Sequence, residues 1–331
     1  MTSLKILAEK DILPLIGMAR IMEVVRDIYM DLSQNKIRVP QRLHLPVEES
    51  GGVTLFMPAY AADRQSLGAK IVSVFPRNRG SGTPTIHAVI LLLDAVTGRP
   101  AALLDGTQLT ALRTGAASGV ASSLLSRPNA ETAAIIGAGI EGRTQLLAIS
   151  HARRLKSAWV YDPDSAAVKK FVREMQTSGP PIPQDLRIAR SAAEAVREAD
   201  IICTATTSNQ PVFSDLDLKA GVHINAVGSY RPDMQEIPEE TVARSGIYVD
   251  SLAACLKETG DLIIPLRKNL IEETNIRGEI GEVALGRLHG RLQSEEITLF
   301  KSVGTAALDL GVAEQIIKRA RELQVGLDCE F

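Results

Sequence analysis

The stretch "AAIIGAGIEGR", residues 133–143, constrains this chain more than any other. An apolar, strand-like run stops at Gly137, glycines return at 139 and 142, and a helical pattern follows. Gly-x-Gly-x-x-Gly alone is a weak signal, but between a strand and a helix it acquires a physical meaning. The first glycine permits a tight turn, the second lets the backbone approach a pyrophosphate, and the third lets the helix pack on the strand. The helix N-terminus then faces the phosphates with its amides. The next apolar run, "SAWVYD", brings Asp162 about 25 residues beyond Gly137, where an acid accepts hydrogen bonds from the adenosine ribose. That carboxylate would repel a 2′-phosphate and no Arg immediately follows it, which favours NAD and leaves NADP as the second choice. The alternative is an ordinary strand-to-helix glycine turn, and Asp162 in register argues against it.

From this loop onward strands and helices alternate. "TAAIIG" reads as a strand, 140–152 as a helix, "SAWVYD" as a strand and 164–177 as a helix; "DIICTAT", "VHINAVGS" and "GIYVDS" follow as short buried strands. Such alternation predicts a parallel sheet with helices on both faces. The residues ahead of the loop read differently. Residues 11–35 carry apolar positions Ile21, Val24, Val25 and Ile28 at helical spacing. After Pro40 come "GGVTLFMPAY", "LGAKIVSVFP" and "TIHAVILLLDAVTGRPAALLD", β-type segments that predict a domain of antiparallel strands with "DAVTGRP" as a hairpin turn. Residues 110–126 place small side chains at helical spacing, suited to close packing on a neighbour, and a last amphipathic helix, roughly 304–325, is long enough to reach back to the first domain.

Composition excludes more than it proposes. Lys plus Arg is 37 and Asp plus Glu is 39, so a net charge of −2 gives no reason to expect a nucleic acid or a membrane surface as partner. Cys203, Cys255 and Cys329 are scattered, without a CxxC pair or a His at ligand spacing, so no metal site is expected. A reducing, cytoplasmic setting fits them better than a disulfide framework. The N-terminus lacks the apolar core of a signal peptide, and the longest apolar run, "AVILLLDAV", is far short of a membrane span.

Four features ahead of the glycine loop carry chemical potential: Arg42 in "VPQRLHLP", Lys70 in "LGAKIVSVFP", Thr85 and His87 in "GTPTIHA", and Arg113 in "TALRTGAAS". Lys70 interrupts an apolar strand, where an ammonium is costly unless paired or used. Arg113 sits among Ala, Leu and Gly, a poor place for a guanidinium without an anion. Two or three cations converging on a cleft suggest a small anionic substrate, most simply a carboxylate. Taken singly, each reads first as half of a structural ion pair. His87 reads as a packed strand residue, and Arg38, Arg77 and Arg79 as solvated loop charges. Beyond the loop, "NAVGSYRPDMQEIP" (225–238) leaves a strand at its C-terminal end, where such a sheet faces its ligand. In "FKSVGTAALD" (300–309), the Ser302-Val303-Gly304 backbone is placed to close over a nicotinamide.

Taken in this order, "LGAKIVSVFP", "PTIHAVILLLDAVTGRPAALLDGTQLTALRTGAAS", "AIIGAGIEGR", "INAVGSYRPDMQEI" and "FKSVGTAALD" resemble the ornithine cyclodeaminase/μ-crystallin family over nearly the whole chain. The resemblance implies an α/β fold: an N-terminal α/β domain that binds substrate and dimerises through its sheet, joined to a Rossmann NAD(P)-binding domain. On this chain that means 1–118 with helix 307–331 packing back, and 119–306 as the cofactor domain. It implies substrate-carboxylate contacts at Arg42, Lys70 and Arg113, with Lys70 and Arg113 in catalysis. It implies cofactor contacts at Thr85, Arg113, Thr114, Gly137, Ala138, Gly139, Ile140, Glu141, Asp162, Thr204, Thr206, Val227, Gly228, Ser229 and Ser302.

The family divides by chemistry. Cyclodeaminases carry an acid shortly before an "MP" pair, where Leu55 stands here, and another after the "VG" of the fifth Rossmann strand, where Tyr230 stands. Expelling ammonia from ornithine needs a carboxylate to hold and deprotonate the amine. Asp233 belongs instead to an "RPD" form associated with reductases and dehydrogenases. The expectation is a homodimeric NAD(P)H-dependent reductase of a cyclic imino acid, Δ1-pyrroline-2-carboxylate first and its six-membered piperideine analogue second. An alanine-type amino-acid dehydrogenase, a cyclodeaminase and a non-catalytic cofactor-carrying binding protein stay open as rivals.

Overall fold

The computed structural model describes residues 3–78 and 81–330. Two compact units divide the chain: Met1–Arg113 together with Thr305–Phe331, and Thr114–Gly304. The division falls inside one helix, Thr107–Leu125.

The first unit is built on strands Ser3–Leu7 (β1), Ile37–Arg38 (β2), Leu43–Val47 (β3), Gly52–Ala61 (β4), Ser66–Val74 (β5), Ile86–Asp94 (β6) and Pro100–Asp105 (β7). Strands β4 to β7 form an antiparallel meander, as their alternating patterns suggest. Asp94 closes the hairpin between β6 and β7 by accepting hydrogen bonds from the amides of Val96 and Thr97 and from the Thr97 hydroxyl. The segments after Pro40 are antiparallel as expected, while β1, ahead of them, lies parallel to β7 and makes the sheet mixed. The "SLKIL" strand is only five residues long and carries a Lys, so its apolar pattern is too short to announce it.

The expected helix over 11–35 is also shorter. It runs Met18–Ser33, behind a short turn Glu9–Ile12 and a 3₁₀ turn Leu13–Leu15. Pro14 and the extended Gly17 interrupt what the apolar spacing joins. Its buried face, Ile21, Val24, Val25 and Ile28, is the one the periodicity marks. The last helix, Ala306–Leu323, packs on β4, β5 and β6 and on the Met18–Ser33 helix. A Cβ on Gly311 would stand 2.7 Å from Ile28 Cδ1, so glycine permits that approach. Alternation along the strands sends Met57, Lys70, Val72 and Ile90 to the buried side. Phe56, Ile71, Leu91 and Leu103, half buried, take the opposite face with exposed Val89.

The second unit holds strands Thr132–Ile136 (β8), Ser157–Tyr161 (β9), Asp185–Ile188 (β10), Ile201–Thr204 (β11), His223–Ala226 (β12), Gly246–Val249 (β13), Ile276–Glu279 (β14) and Thr298–Lys301 (β15). All pair in parallel, in the order β10-β9-β8-β11-β12-β15-β13-β14. The order reverses between β8 and β11, the switch point of a doubly wound dinucleotide fold. Two buried clusters cover the faces, one around Ile202, Ile224, Ile247 and Leu299, the other around Ile135, Leu146, Val160 and Phe171. The small-residue helix does pack closely: a Cβ on Gly115 would lie 2.4 Å from the Thr144 carbonyl oxygen on the Ile140–Ala152 helix. The closing strand of the chain, Leu327–Glu330 (β16), returns to the first unit and pairs antiparallel with β1. Among the described residues, no helix is long and apolar enough to cross a membrane, and no cluster of His, Cys, Asp and Glu is arranged to hold a metal ion.

Candidate active site

In the first unit, Lys70 stands in the middle of β5 with Met57 and Ile90 directly opposite on the neighbouring strands. Leu55 and Val72, also buried, share that face. An ammonium only 2% exposed among aliphatic side chains needs a counter-ion. The final helix supplies it: Lys70 Nζ is 2.7 Å from Asp309 Oδ2, and Arg113 Nε is 2.9 Å from Asp309 Oδ1. Asp309 is completely buried and Arg113 nearly so. One carboxylate thus grips two cations delivered by a strand and a different helix, and fixes both heads.

Electrostatics follow from the packing. Burial pulls the Lys70 ammonium down to about 8; Asp309 opposes this, while Arg113 and Arg42 push further in the same direction. Burial works to raise the Asp309 carboxyl, but Arg113 and Lys70 outweigh it and leave it below the usual carboxylate range. Of the charges that act on Lys70, two are positive and one negative, a field that favours an additional anion. Arg42 lies half-buried just before β3, and His44 two residues on is held below its ordinary value by burial and by Arg42. Thr85 is half-buried ahead of β6, its carbonyl accepting from the Phe75 amide. Thr114, next to Arg113, is buried. His87 corrects the reading made of it, being exposed on the face opposite Lys70 rather than packed. Arg38 and Arg77 are exposed as expected, and Arg79 lies outside the described residues.

In the second unit the glycine turn has the geometry its spacing suggests. Gly137 has φ +108°, and a Cβ there would lie 2.5 Å from the Ala205 carbonyl oxygen. A Cβ on Gly142 would stand 2.0 Å from the Gly137 carbonyl oxygen, so the helix Ile140–Ala152 seats on β8 only through glycine. A Cβ on Gly139 would meet nothing within 4 Å, leaving open space at the helix N-terminus, which has no side-chain cap. Asp162, at the end of β9, accepts hydrogen bonds from the amides of Ala138 (2.9 Å) and Asp164 (2.9 Å). The acid therefore pins the turn. At the C-terminal ends of β11, β12 and β15 lie Thr204, Thr206, Val227, Gly228, Ser229 and Ser302. Thr204 Oγ1 is buried with no hydrogen-bond partner among the described residues, as a polar atom awaiting a ligand would be. Open glycine backbone, an uncapped helix start, a fixed carboxylate and an orphaned hydroxyl together fit a dinucleotide.

Several hydroxyls in this set already have partners inside the unit. Thr206 Oγ1 donates to Glu236, Ser229 Oγ to the Met234 carbonyl, and Ser302 Oγ to Asp250. Asp250 also accepts from the amides of Val303 (3.1 Å) and Gly304 (2.7 Å), gathering the turn after β15. Sequence reasoning missed these buried acids. A usable signal existed: Asp309 in "AALDLGVA" and Asp250 in "GIYVDS" are lone charges in apolar stretches, the same criterion that singles out Lys70. Of the two positions where an acid is expected in a cyclodeaminase, Leu55 is buried on the Lys70 face and Tyr230 is half-buried; the nearby Asp233 is exposed and paired with Arg231.

The sequence profile of the ornithine cyclodeaminase/mu-crystallin family matches residues 4–324. The Delta(1)-pyrroline-2-carboxylate reductase of Bacillus cereus is 40% identical over 319 residues, covering 96% of this chain and 97% of that one. A solved structure of the Thermococcus litoralis Delta(1)-pyrroline-2-carboxylate reductase in complex with NADH and L-proline matches with a TM-score of 0.95 at 40% identity, covering 98% of this chain and 100% of that chain. An archaeal alanine dehydrogenase dimer with bound NAD matches with a TM-score of 0.93 at 32% identity, each chain being covered in full. With its profile matched almost from end to end and relatives this similar over their whole length, the chain belongs to the ornithine cyclodeaminase/mu-crystallin family.

Proposed function

We propose that this protein is an NADH-dependent reductase of cyclic imino acids that converts Δ1-pyrroline-2-carboxylate to L-proline, with Δ1-piperideine-2-carboxylate as the larger ring it would take second. The observation that carries the reading is the cation pair fixed by Asp309 among aliphatic side chains. Such a site suits a substrate with one carboxylate and an otherwise apolar ring. It lacks a carboxylate at Leu55 or Tyr230 to hold the side-chain ammonium of a diamino acid. The two pyrroline-2-carboxylate reductases, each about 40% identical, support the same choice.

In this reading Arg42 and Arg113 hold the substrate carboxylate, Arg113 with its guanidinium already oriented by Asp309. Lys70 points its ammonium from the same anchor, where it stabilises the carboxylate and supplies a proton toward the ring nitrogen. A nicotinamide held there would supply the hydride, and Lys70 the proton, needed to take C=N to CH–NH. Aliphatic walls at Met57, Val72 and Ile90 exclude water from around Lys70. The cofactor is held by Gly137 to Glu141, by Asp162, and by the segments carrying Thr204, Thr206, Val227 to Ser229 and Ser302, with Thr85, Arg113 and Thr114 as further contacts. Asp162 favours NADH over NADPH.

The protein acts as a homodimer. Phe56, Ile71 and Val89 form one cross-strand row and Ala69, Leu91 and Leu103 the next, an apolar sheet face suited to a second copy. Three cysteines without a disulfide, two of them buried, accord with a cytoplasmic setting. Mixing protein, NADH or NADPH, and Δ1-pyrroline-2-carboxylate tests the reading through loss of reduced-nicotinamide absorbance. Turnover only with pyruvate plus ammonium replaces it with alanine dehydrogenase, the reading that the archaeal relative favours. Ammonia released from ornithine without net cofactor change replaces it with a cyclodeaminase. Tight dinucleotide binding without turnover leaves a binding protein.

A further inference from the structure

Within the second unit, the segments that follow β11 and β12 are organised by one buried side chain that has no place in the site described so far. Glu236 is completely buried, and four donors converge on its two oxygens. Oε1 accepts from the Thr206 amide (2.7 Å) and the Thr206 hydroxyl (2.8 Å). Oε2 accepts from the amides of Gly228 (2.7 Å) and Ser229 (3.1 Å). An ionised carboxylate has about four acceptor positions and no donor, so this set saturates it. The backbone leaves no slack: a Cβ on Gly228 would lie 2.2 Å from the Thr206 carbonyl oxygen and 2.5 Å from Glu236 Oε1.

Glu236 is itself held from behind. The amides of Glu236 (2.7 Å) and Ile237 (3.0 Å) donate to Asp261 Oδ1, and Lys301 Nζ sits 2.9 Å from Asp261 Oδ2 with both side chains fully buried. The chain therefore runs from Lys301 at the end of β15, through Asp261, to the Glu236 backbone, and from its carboxylate to the segments after β11 and β12. Buried charge at this density is costly, and it persists in a native fold where it fixes a geometry that packing alone would leave loose.

We propose that Glu236 is a positioning residue for the nicotinamide half of the dinucleotide. Asp162, just after β9, marks the adenosine side of the strand-order reversal, and β11 and β12 lie on the other side of it. The two halves of a dinucleotide diverge from the pyrophosphate at the glycine turn, so the segments Glu236 clamps serve the nicotinamide and its ribose. Glu236 touches neither; it sets the backbone that does. The inference rests on the dinucleotide reading of this unit, and the experiment separates the two.

Kd values for NADH and for ADP, which carries only the adenosine side, are measured by calorimetry for the wild-type protein and for Glu236→Gln. The amide substitution sets an NH2 group against two donors while keeping size. NADH affinity is expected to fall about tenfold or more, the loss of one to two charged hydrogen bonds, with ADP affinity unchanged within about twofold. A general structural role would weaken both ligands in parallel; that result, or no change in either, overturns the proposal. Glu236→Asp keeps the charge but withdraws the carboxylate from the donors of Thr206, Gly228 and Ser229, and is the second variant should Glu236→Gln fold poorly. It is expected to weaken NADH about threefold and ADP not at all, and equal losses, or none, refute the assignment. If the wild-type protein binds neither ligand, the dinucleotide reading falls and the proposal with it.

Discussion

Replacing Asp309 by Asn removes the negative charge shared by two buried cations, and the consequence for pH can be worked through. In the wild-type protein Lys70 loses its proton near pH 8, because burial lowers it while Asp309 holds it up. Lys70 Nζ and the Asp309 carboxylate are 2.7 Å apart, with the charge centres further separated. Unit charges about 4 Å apart at an effective dielectric constant of about 20 attract by about 4 kcal/mol. At about 1.4 kcal/mol per pH unit, losing that attraction moves the proton release down by at most about 3 pH units. Water entering the site and the amide's own dipole reduce this, so a displacement of about 1 to 2 pH units is expected. The sign is fixed: the neutral form of Lys70 is favoured once the anion is gone, with Arg113 and Arg42 still pressing the same way. The assay is kcat/KM for Δ1-pyrroline-2-carboxylate against pH, at saturating NADH, in both proteins. With Lys70 acting as proposed, activity needs the ammonium, so the alkaline limb of the variant is expected at lower pH than that of the wild type. The imine's own titration is common to both and cancels. Superimposed alkaline limbs, or a limb displaced upward, would refute the account of Lys70.

Other outcomes follow from the same geometry. Lys70→Ala and Arg113→Ala should each lower kcat/KM by at least about a hundredfold while circular dichroism shows the fold intact; near-normal rates in both would remove them from the site. Asp162→Ala should erode the preference for NADH over NADPH, read as the ratio of kcat/KM values, and also weaken both cofactors, because the turn loses the acceptor for the Ala138 amide. Ile71→Asp, on the outward sheet face, should yield a monomer in light scattering, and an unchanged mass would place the dimer contact elsewhere.

Strand and helix alternation after residue 132 was legible because parallel strands buried on both faces read as short unbroken apolar runs, and "TAAIIG", "DIICTAT" and "GIYVDS" are such runs. The order of strands was not. β15 inserts beside β12 and pushes β13 outward, a choice made by pairing between residues as far apart as His223 and Thr298. β10 and β14 escaped notice because four residues with a charge at one or more positions show no period. Lys70 and Arg113 stood out as charges in apolar surroundings, yet nothing local ties them together. Their shared anchor, Asp309, lies 196 residues beyond Arg113 and joins them only when the final helix packs on β5. The glycine turn was the most legible element of all, since its demands on φ and on missing Cβ atoms are properties of the residue itself.

The first unit is discontinuous: the chain leaves it after Arg113 and resumes it at Thr305. During synthesis Lys70 and Arg113 therefore emerge long before the anion that neutralises them, while the whole of the second unit is made in between. The inserted unit is one uninterrupted segment and can fold on the ribosome without waiting. The early strands have no such freedom, since a buried ammonium without its carboxylate opposes closure of the sheet around it. A chain ending at Gly304 would carry every strand of the second unit but would lack Asp309, the anion that Lys70 and Arg113 share.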